Sequence, residues 1–260
     1  SSKEPTAVKD YTRRFSTRAD NYARYRPSYP EQVLDVLRQE CGLSPGAIVA
    51  DIGSGTGLLT ELFLRNGNTV YAVEPNREMR EAAERLLAHY ERFHSVDGTA
   101  EDTGLPYRSV QFVTAGQAFH WFDPDRARSE FVRILERGGW CVLVWNDRRT
   151  GSTPFLREYE ELIRRNAPEY ERVTHKQLGG DDMSRLFGPG GYRSASFPNH
   201  QVFDFEGLRG RLLSSSYAPE PGRPGHDAMM ARLREIFDAH RQDGKVTFEY
   251  DTQMFFGRLT

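Results

Sequence analysis

The stretch Val49–Leu62, VADIGSGTGLLTEL, decides the fold. A short apolar run carrying one acid, Asp51, ends at Ile52. Gly53, Gly55 and Gly57 follow, and an amphipathic segment begins at Leu58. The pattern reads as a buried strand feeding a helix through a tight turn. Glycine allows the sharp turn and lets a ligand approach the main chain. The helix start presents free N–H groups and the positive end of the helix dipole. A ligand held there sits across the carboxyl ends of the strands.

The spacing narrows the ligand. A dinucleotide fingerprint requires a third glycine where this chain has Leu58, and the third glycine comes one position early, at Gly57. Glu74 closes the next apolar run, TVYAVEP, 23 residues after Asp51. An acid there can accept both ribose hydroxyls, which implies a ribosylated ligand without a 2′-phosphate. The plainer alternative is a tight turn with a surface glutamate. Strand, glycines, helix, strand and acid in this order favour the ligand site.

Working outward, EQVLDVLRQECG reads as a helix stopped by Gly42, and NREMREAAERLLAHY as a helix capped by Asn76. FHSVDG, VQFVTAG and WCVLVWN read as strands, with the helix PDRARSEFVRILERGG before the last. Residues 147–191 look less regular and contain the helix FLREYEELIRRN. Two long strands, near SASFPNHQVFDF and KVTFEYDTQMFFGRL, enclose further helices. Strands and helices alternate, so the expected class is α/β: a doubly wound, mostly parallel seven-stranded sheet with an antiparallel edge strand and helical lid elements. The expected division is residues 1–30 as an arm over the cofactor, 31–150 as the binding core, and 151–260 as lid helices and closing strands.

The chain has 260 residues, a net charge of -2 and 38% hydrophobic residues, enough for a substantial core and with no field favouring nucleic acid. The arm is locally basic, with Arg13, Arg14, Arg18, Arg24 and Arg26. Cys41 and Cys141 form no metal or disulfide pattern. No apolar run reaches membrane-spanning length and no signal peptide is visible. The chain begins SSKEP without Met, which leaves a removed segment open. A cytoplasmic setting is the expectation.

VADIGSGTG, YAVEPN, GTAEDTGLP and AGQAFHWFD together resemble the class I S-adenosylmethionine-dependent methyltransferases, within them the small-molecule branch called type 11 that includes trans-aconitate methyltransferase-like proteins. The resemblance covers about residues 15–150. It implies S-adenosylmethionine as cofactor, no metal, and a small-molecule acceptor, with neither nucleic acid nor membrane as partner. Oligomeric state is unreadable. Asp51, Gly53, Ser54, Gly55 and Gly57 would face the methionine end. Glu74 with Pro75 would hold the ribose. Asn76 and Met79 would line the adenine pocket, Met79 having ordinary helix core as its alternative. Thr99, Ala100 and Glu101 would close the adenine edge; many relatives carry Asp where this chain has Thr99. Two further acids of relatives are replaced by Tyr107 and Gln111. An arm of this kind folds over the cofactor in the family, and Tyr22 and Arg26 are apt donors for the methionine carboxylate.

QAFHWFDPD, Gln117–Asp125, follows the fourth strand at its carboxyl end. Gln117 would line the cofactor through its backbone. His120 is the candidate base, because its ordinary pKa lies near neutrality; the alternative is a packed histidine. Phe119 and Trp121 are candidates for the acceptor pocket, but the favoured reading of Trp121 and Phe122 is packing beneath the following helix. Trp145, Asn146 and Arg148 end the fifth strand on the same edge, where Trp145 and Asn146 could face the acceptor and Arg148 pair with an acidic one; the favoured alternative is a capped strand end with a solvated arginine. Tyr159 and Tyr217 fall in lid helices. The expected function is methyl transfer to a small molecule, a carboxylate or hydroxyl being one option. The alternatives are a non-catalytic cofactor-binding protein and, disfavoured by Leu58, an NAD-dependent oxidoreductase.

Overall fold

The computed structural model describes residues 19–166 and 179–260. The chain divides into two compact units: Pro27–Arg149 with Arg172–His200 and Glu249–Thr260, and Ser1–Arg26 with Thr150–Glu171 and Gln201–Phe248.

A seven-stranded sheet has the order β3-β2-β1-β4-β5-β7-β6. The strands are β1 (Ile48–Ile52), β2 (Thr69–Val73), β3 (Phe93–Val96), β4 (Val110–Gly116), β5 (Leu135–Arg148), β6 (Arg193–Phe203) and β7 (Val246–Arg258). The first five strands are mutually parallel, and β7 runs antiparallel to β5, with Trp145 opposite Gln253 and Asp147 opposite Asp251. The order runs outward from β1 to β3 and, on the other side, from β4 onward. The crevice between the ends of β1 and β4 is therefore the switch point where a ligand binds in such sheets. At the outer edge, β6 carries an exposed proline, Pro198, at its middle.

The first unit carries α2 (Gln32–Cys41), α3 (Leu58–Arg65), α4 (Arg77–Leu87), α5 (Pro124–Ile134) and α7 (Gly180–Phe187). The other carries α1 (residues 19–25), α6 (Pro154–Asn166), α8 (Phe205–Leu213) and α9 (His226–His240). Local chemistry sets the boundaries. Gly42 ends α2 in the left-handed conformation, φ 67°, with its N–H on Leu37 O. Asn76 caps α4 by accepting the Met79 N–H at 3.0 Å. Asp123 caps α5, and Pro124 takes its first position, where no N–H is needed.

Alternation along the strands divides the core. Val113, Ala115, Cys141 and Leu143 pack with Phe131 and Ile134 of α5 and with Leu186 and Phe187 of α7. Phe112, Val142 and Val144 pack on the opposite face with α2 and α3. Two expectations change here. The helix read through Gly139 stops at Ile134, and Leu135 already begins β5. The region read as irregular contains α7, whose Met183, Leu186 and Phe187 are buried. In the other unit, Phe155, Tyr159 and Phe203 surround Phe248, with ring centroids 5.7, 4.8 and 5.5 Å away.

Candidate active site

The glycine turn is locked to β2. The N–H groups of Gly53 and Ser54 both donate to Val73 O, at 2.8 and 3.2 Å. Gly53, Gly55 and Gly57 have φ values of 64°, 58° and 94°. A methyl group added at Gly53 would stand 2.7 Å from the Ala118 side chain, whereas one at Gly55 would meet nothing within 4 Å. The turn is thus closed against its own protein at one glycine and open at the next. Between them and α3, the Thr56 hydroxyl is buried and has no hydrogen-bond partner among the described residues.

Two carboxylates organise the turn. Asp51 is buried and accepts the hydroxyls of Thr60 at 2.6 Å and Thr114 at 3.0 Å. Burial pushes its pKa up to about 7; the two hydroxyls oppose that shift, and the negative charge of Glu74 adds to it. Glu74 directly follows β2, with one oxygen accepting Gly55 N–H and the other Asn76 N–H, both at 2.8 Å. Each oxygen keeps a further acceptor direction for a hydroxyl pair. Pro75 is exposed beside it, and Met79 is half-buried on α4.

The edge carrying Thr99 is held by local bonds. The Thr99 hydroxyl accepts Asp102 N–H at 3.1 Å, Ala100 is buried, and Glu101 accepts the N–H of Asp123 at 2.8 Å. Glu101 therefore fastens this loop to the start of α5. Thr103 is anchored below it by the Glu130 carboxylate, which accepts both its N–H and its hydroxyl, at 2.8 and 2.7 Å.

The aromatic run divides differently from expectation. A turn of 3-10 helix spans Phe119–Trp121, so successive side chains fan apart. Phe119, expected to line the pocket, is a core residue at 3% exposure. Trp121, expected to pack under α5, instead stands 67% exposed. Phe122 does pack, edge-on to Phe119 and Phe131. The His120 ring lies 5.0 Å from that of Trp145 in a T-shaped pair and 4.6 Å from that of Trp121. Gln117 takes the left-handed conformation, φ 59°, and is pinned to β5: its N–H donates to Val144 O at 3.0 Å and its side-chain oxygen accepts Asn146 N–H.

At the end of β5, Asn146 is buried and occupied. Its oxygen accepts from Thr252 and Asn199, and its nitrogen donates to Ser28 O at 3.4 Å. Asn146 therefore works as a tie between strands rather than as an open pocket wall. Asp147 lies two residues past Trp145 on the same face of β5, and its pKa is raised by burial and by Asp251. Arg149 pairs with Glu249 at 3.0 Å and Asp251 at 2.8 Å.

Comparison with known proteins gives this geometry a family. A family model described as a methyltransferase domain matches residues 50–143. An uncharacterized methyltransferase of Mycobacterium tuberculosis is 39% identical over 169 residues, 64% of this chain and 65% of that protein. The chain thus spans just under two thirds of that relative's length. An uncharacterized methyltransferase of Geobacillus kaustophilus is 30% identical over 203 residues, covering 73% of this chain and 91% of the relative. The chain belongs to the class I S-adenosylmethionine-dependent methyltransferases. In fold it is similar to a structure solved for a candidate type II methyltransferase from Anaeromyxobacter dehalogenans, with a TM-score of 0.61, 21% identity, and 90% and 98% of the two chains covered.

The remaining candidates of this methyltransferase fall in the other unit or on other faces. Tyr22 and Arg26 sit at the end of α1. The Arg26 guanidinium stacks over the Tyr22 ring at 4.8 Å and donates to the Ser214 hydroxyl at 3.1 Å. Tyr159 packs against Phe248, and Tyr217 follows α8. Arg148 follows the alternation of β5 onto the face opposite Trp145 and Asp147.

Three residues escaped the sequence reading. Thr60 and Thr114 satisfy Asp51, and Tyr29 covers Gly116 so closely that a methyl group there would meet its hydroxyl at 2.6 Å. Only the spacing of Thr60 from Asp51, one strand end and one helical turn away, hinted at a contact. Among the described residues, no cluster of three or more His, Cys, Asp or Glu groups suits a metal ion, and no helix is long and apolar enough to cross a membrane.

Proposed function

We propose that the chain transfers a methyl group from S-adenosylmethionine to a small-molecule acceptor. The observation that carries the reading is the Glu74 carboxylate, tied by two 2.8 Å bonds to Gly55 and Asn76 and open to a hydroxyl pair. The residues fit the cofactor. Gly55 leaves space where the ligand approaches, and the buried Thr56 hydroxyl is a polar group awaiting a partner beside it.

In this reading Glu74 holds the ribose, and the main chain from Gly53 to Gly57, supported by Asp51, meets the methionine end. Asn76, Met79, Thr99, Ala100 and Glu101 surround the adenine, Pro75 stands beside Glu74, and Gln117 faces the cofactor through its backbone. The arm proposed over residues 1–30, with Tyr22 and Arg26 as its donors to the methionine carboxylate, lies outside the described residues as far as residue 18, and the proposal for residues 151–260 is lid helices with the strands that complete the sheet. The cofactor supplies an electrophilic methyl group on a sulfonium. The protein aligns the acceptor, excludes water and removes a proton where the acceptor carries one. His120 is the group for that proton. We place the enzyme in the cytoplasm, in keeping with its free cysteines.

Calorimetry with S-adenosylhomocysteine and with NAD tests the reading. Micromolar-range binding of the thioether and none of NAD is expected. NAD binding without thioether binding would overturn it.

A further inference from the structure

The acceptor edge has a chemistry of its own. Alternation along β5 carries Trp145 and Asp147 on the face of Cys141 and Leu143, the α5 side of the sheet. His120 stands edge-to-face on Trp145, and Trp121 stands beside His120 with its indole largely in solvent. This face therefore offers aromatic π surface at the carboxyl edge of β4 and β5. Among the described residues, the charges beside it are mostly carboxylates. Asp147 shares that face of β5 with Trp145, and Asp251 lies opposite it on β7. Arg149 is matched by Glu249 and Asp251 together. Two carboxylates thus share one guanidinium, and Asp147 adds a third negative group on the strand. Arg148, the cation that would suit an acidic acceptor, lies on the other face.

We propose that the acceptor is an amine, held as its ammonium against Trp121, His120 and Trp145 with Asp147 as the nearby carboxylate. Aromatic faces attract organic cations through their quadrupole, and a carboxylate alongside adds to that attraction. A carboxylate acceptor would meet repulsion from Asp147 instead. The inference rests on the methyltransferase reading and deepens it. His120 first takes a proton from the ammonium and frees the nitrogen lone pair. That pair forms the N–C bond as the sulfonium S–C bond breaks with its electrons kept on sulfur, and His120 passes its proton to solvent.

Binding alone tests this, without turnover. The probes are choline, its uncharged isostere 3,3-dimethylbutan-1-ol, and malonate, titrated while the tryptophan indole N–H signals are followed by NMR. Choline is expected to bind at least about tenfold more tightly than the isostere, with malonate showing no saturable shift. Trp121 is exposed, so its replacement spares the core. Trp121→Ala should lower choline affinity about tenfold, Trp121→Phe should recover part of it, and Asp147→Asn should weaken choline without affecting the isostere. Equal binding of choline and isostere, or saturable binding of malonate, overturns the proposal. S-adenosylhomocysteine titrated into the same samples separates the two claims. Thioether binding without choline preference removes the amine and keeps the methyltransferase. Choline preference without thioether binding does the reverse.

Discussion

Glu74 accepts the N–H of Gly55 at 2.8 Å, so the end of β2 holds the glycine turn in place. The same carboxylate accepts Asn76 N–H and therefore also sets the start of α4. In Glu74→Gln, one oxygen becomes an amide donor facing a backbone donor. Charge-assisted bonds of this kind are worth about 1.5–3 kcal/mol. S-adenosylhomocysteine affinity, measured by calorimetry, should fall roughly tenfold to a hundredfold. An affinity within twofold of the parent would remove Glu74 from the site.

The two glycines of the turn should separate folding from binding. Gly53→Ala forces a methyl group to 2.7 Å from Ala118 at a positive φ and should cost roughly 2 kcal/mol or more in a urea melt. Gly55→Ala meets no protein atom and should cost only about 1 kcal/mol, for its left-handed backbone. It should nevertheless lose most thioether affinity, because the methyl group enters the ligand's approach. Equal losses of stability in the two variants would contradict the open turn.

Asp51 gives stability a pH dependence of known sign. Its folded pKa is raised from 3.8 to about 7, chiefly by burial. The folded protein therefore holds a proton that the unfolded chain has released. That contribution is complete below the unfolded value and is lost as pH rises through about 7, at no more than about 1.4 kcal/mol per pH unit. Asp51→Asn keeps an acceptor for the threonine hydroxyls and cannot ionise. Urea unfolding at pH 5 and pH 7.5 should show the variant gaining on the parent at the higher pH. Parallel profiles would mean that Asp51 titrates normally.

His120 should act on turnover rather than on cofactor binding. With an acceptor identified by a metabolite screen, His120→Ala should lower kcat by about a hundredfold or more and leave thioether affinity within about twofold. An unchanged kcat would leave His120 as the spacer between Trp121 and Trp145.

The site was legible where its parts are close in sequence. The glycine turn follows from residue type and spacing, the Asn76 cap from a single helical turn, and Glu74 from its place at a strand end. The sequence reading went astray where the answer depends on direction or on distant strands. The 3-10 turn at Phe119–Trp121 rotates each side chain away from the last, so nothing local tells that Phe119 goes inward and Trp121 outward. Asn146 was read as pocket lining because its ties to Thr252 and Asn199 span more than fifty residues. Tyr29 over Gly116 was hidden for the same reason, and α7 because it spans only Gly180–Phe187.

Pro198 on the outer strand carries a consequence for the crowded protein. An edge strand is a template on which a second copy can add its own strand. Proline has no N–H to offer and breaks the row of donors at mid-strand. Exchanging it for valine would restore an unbroken, β-prone edge, and the cost would be paid in self-association at high concentration rather than in melting temperature.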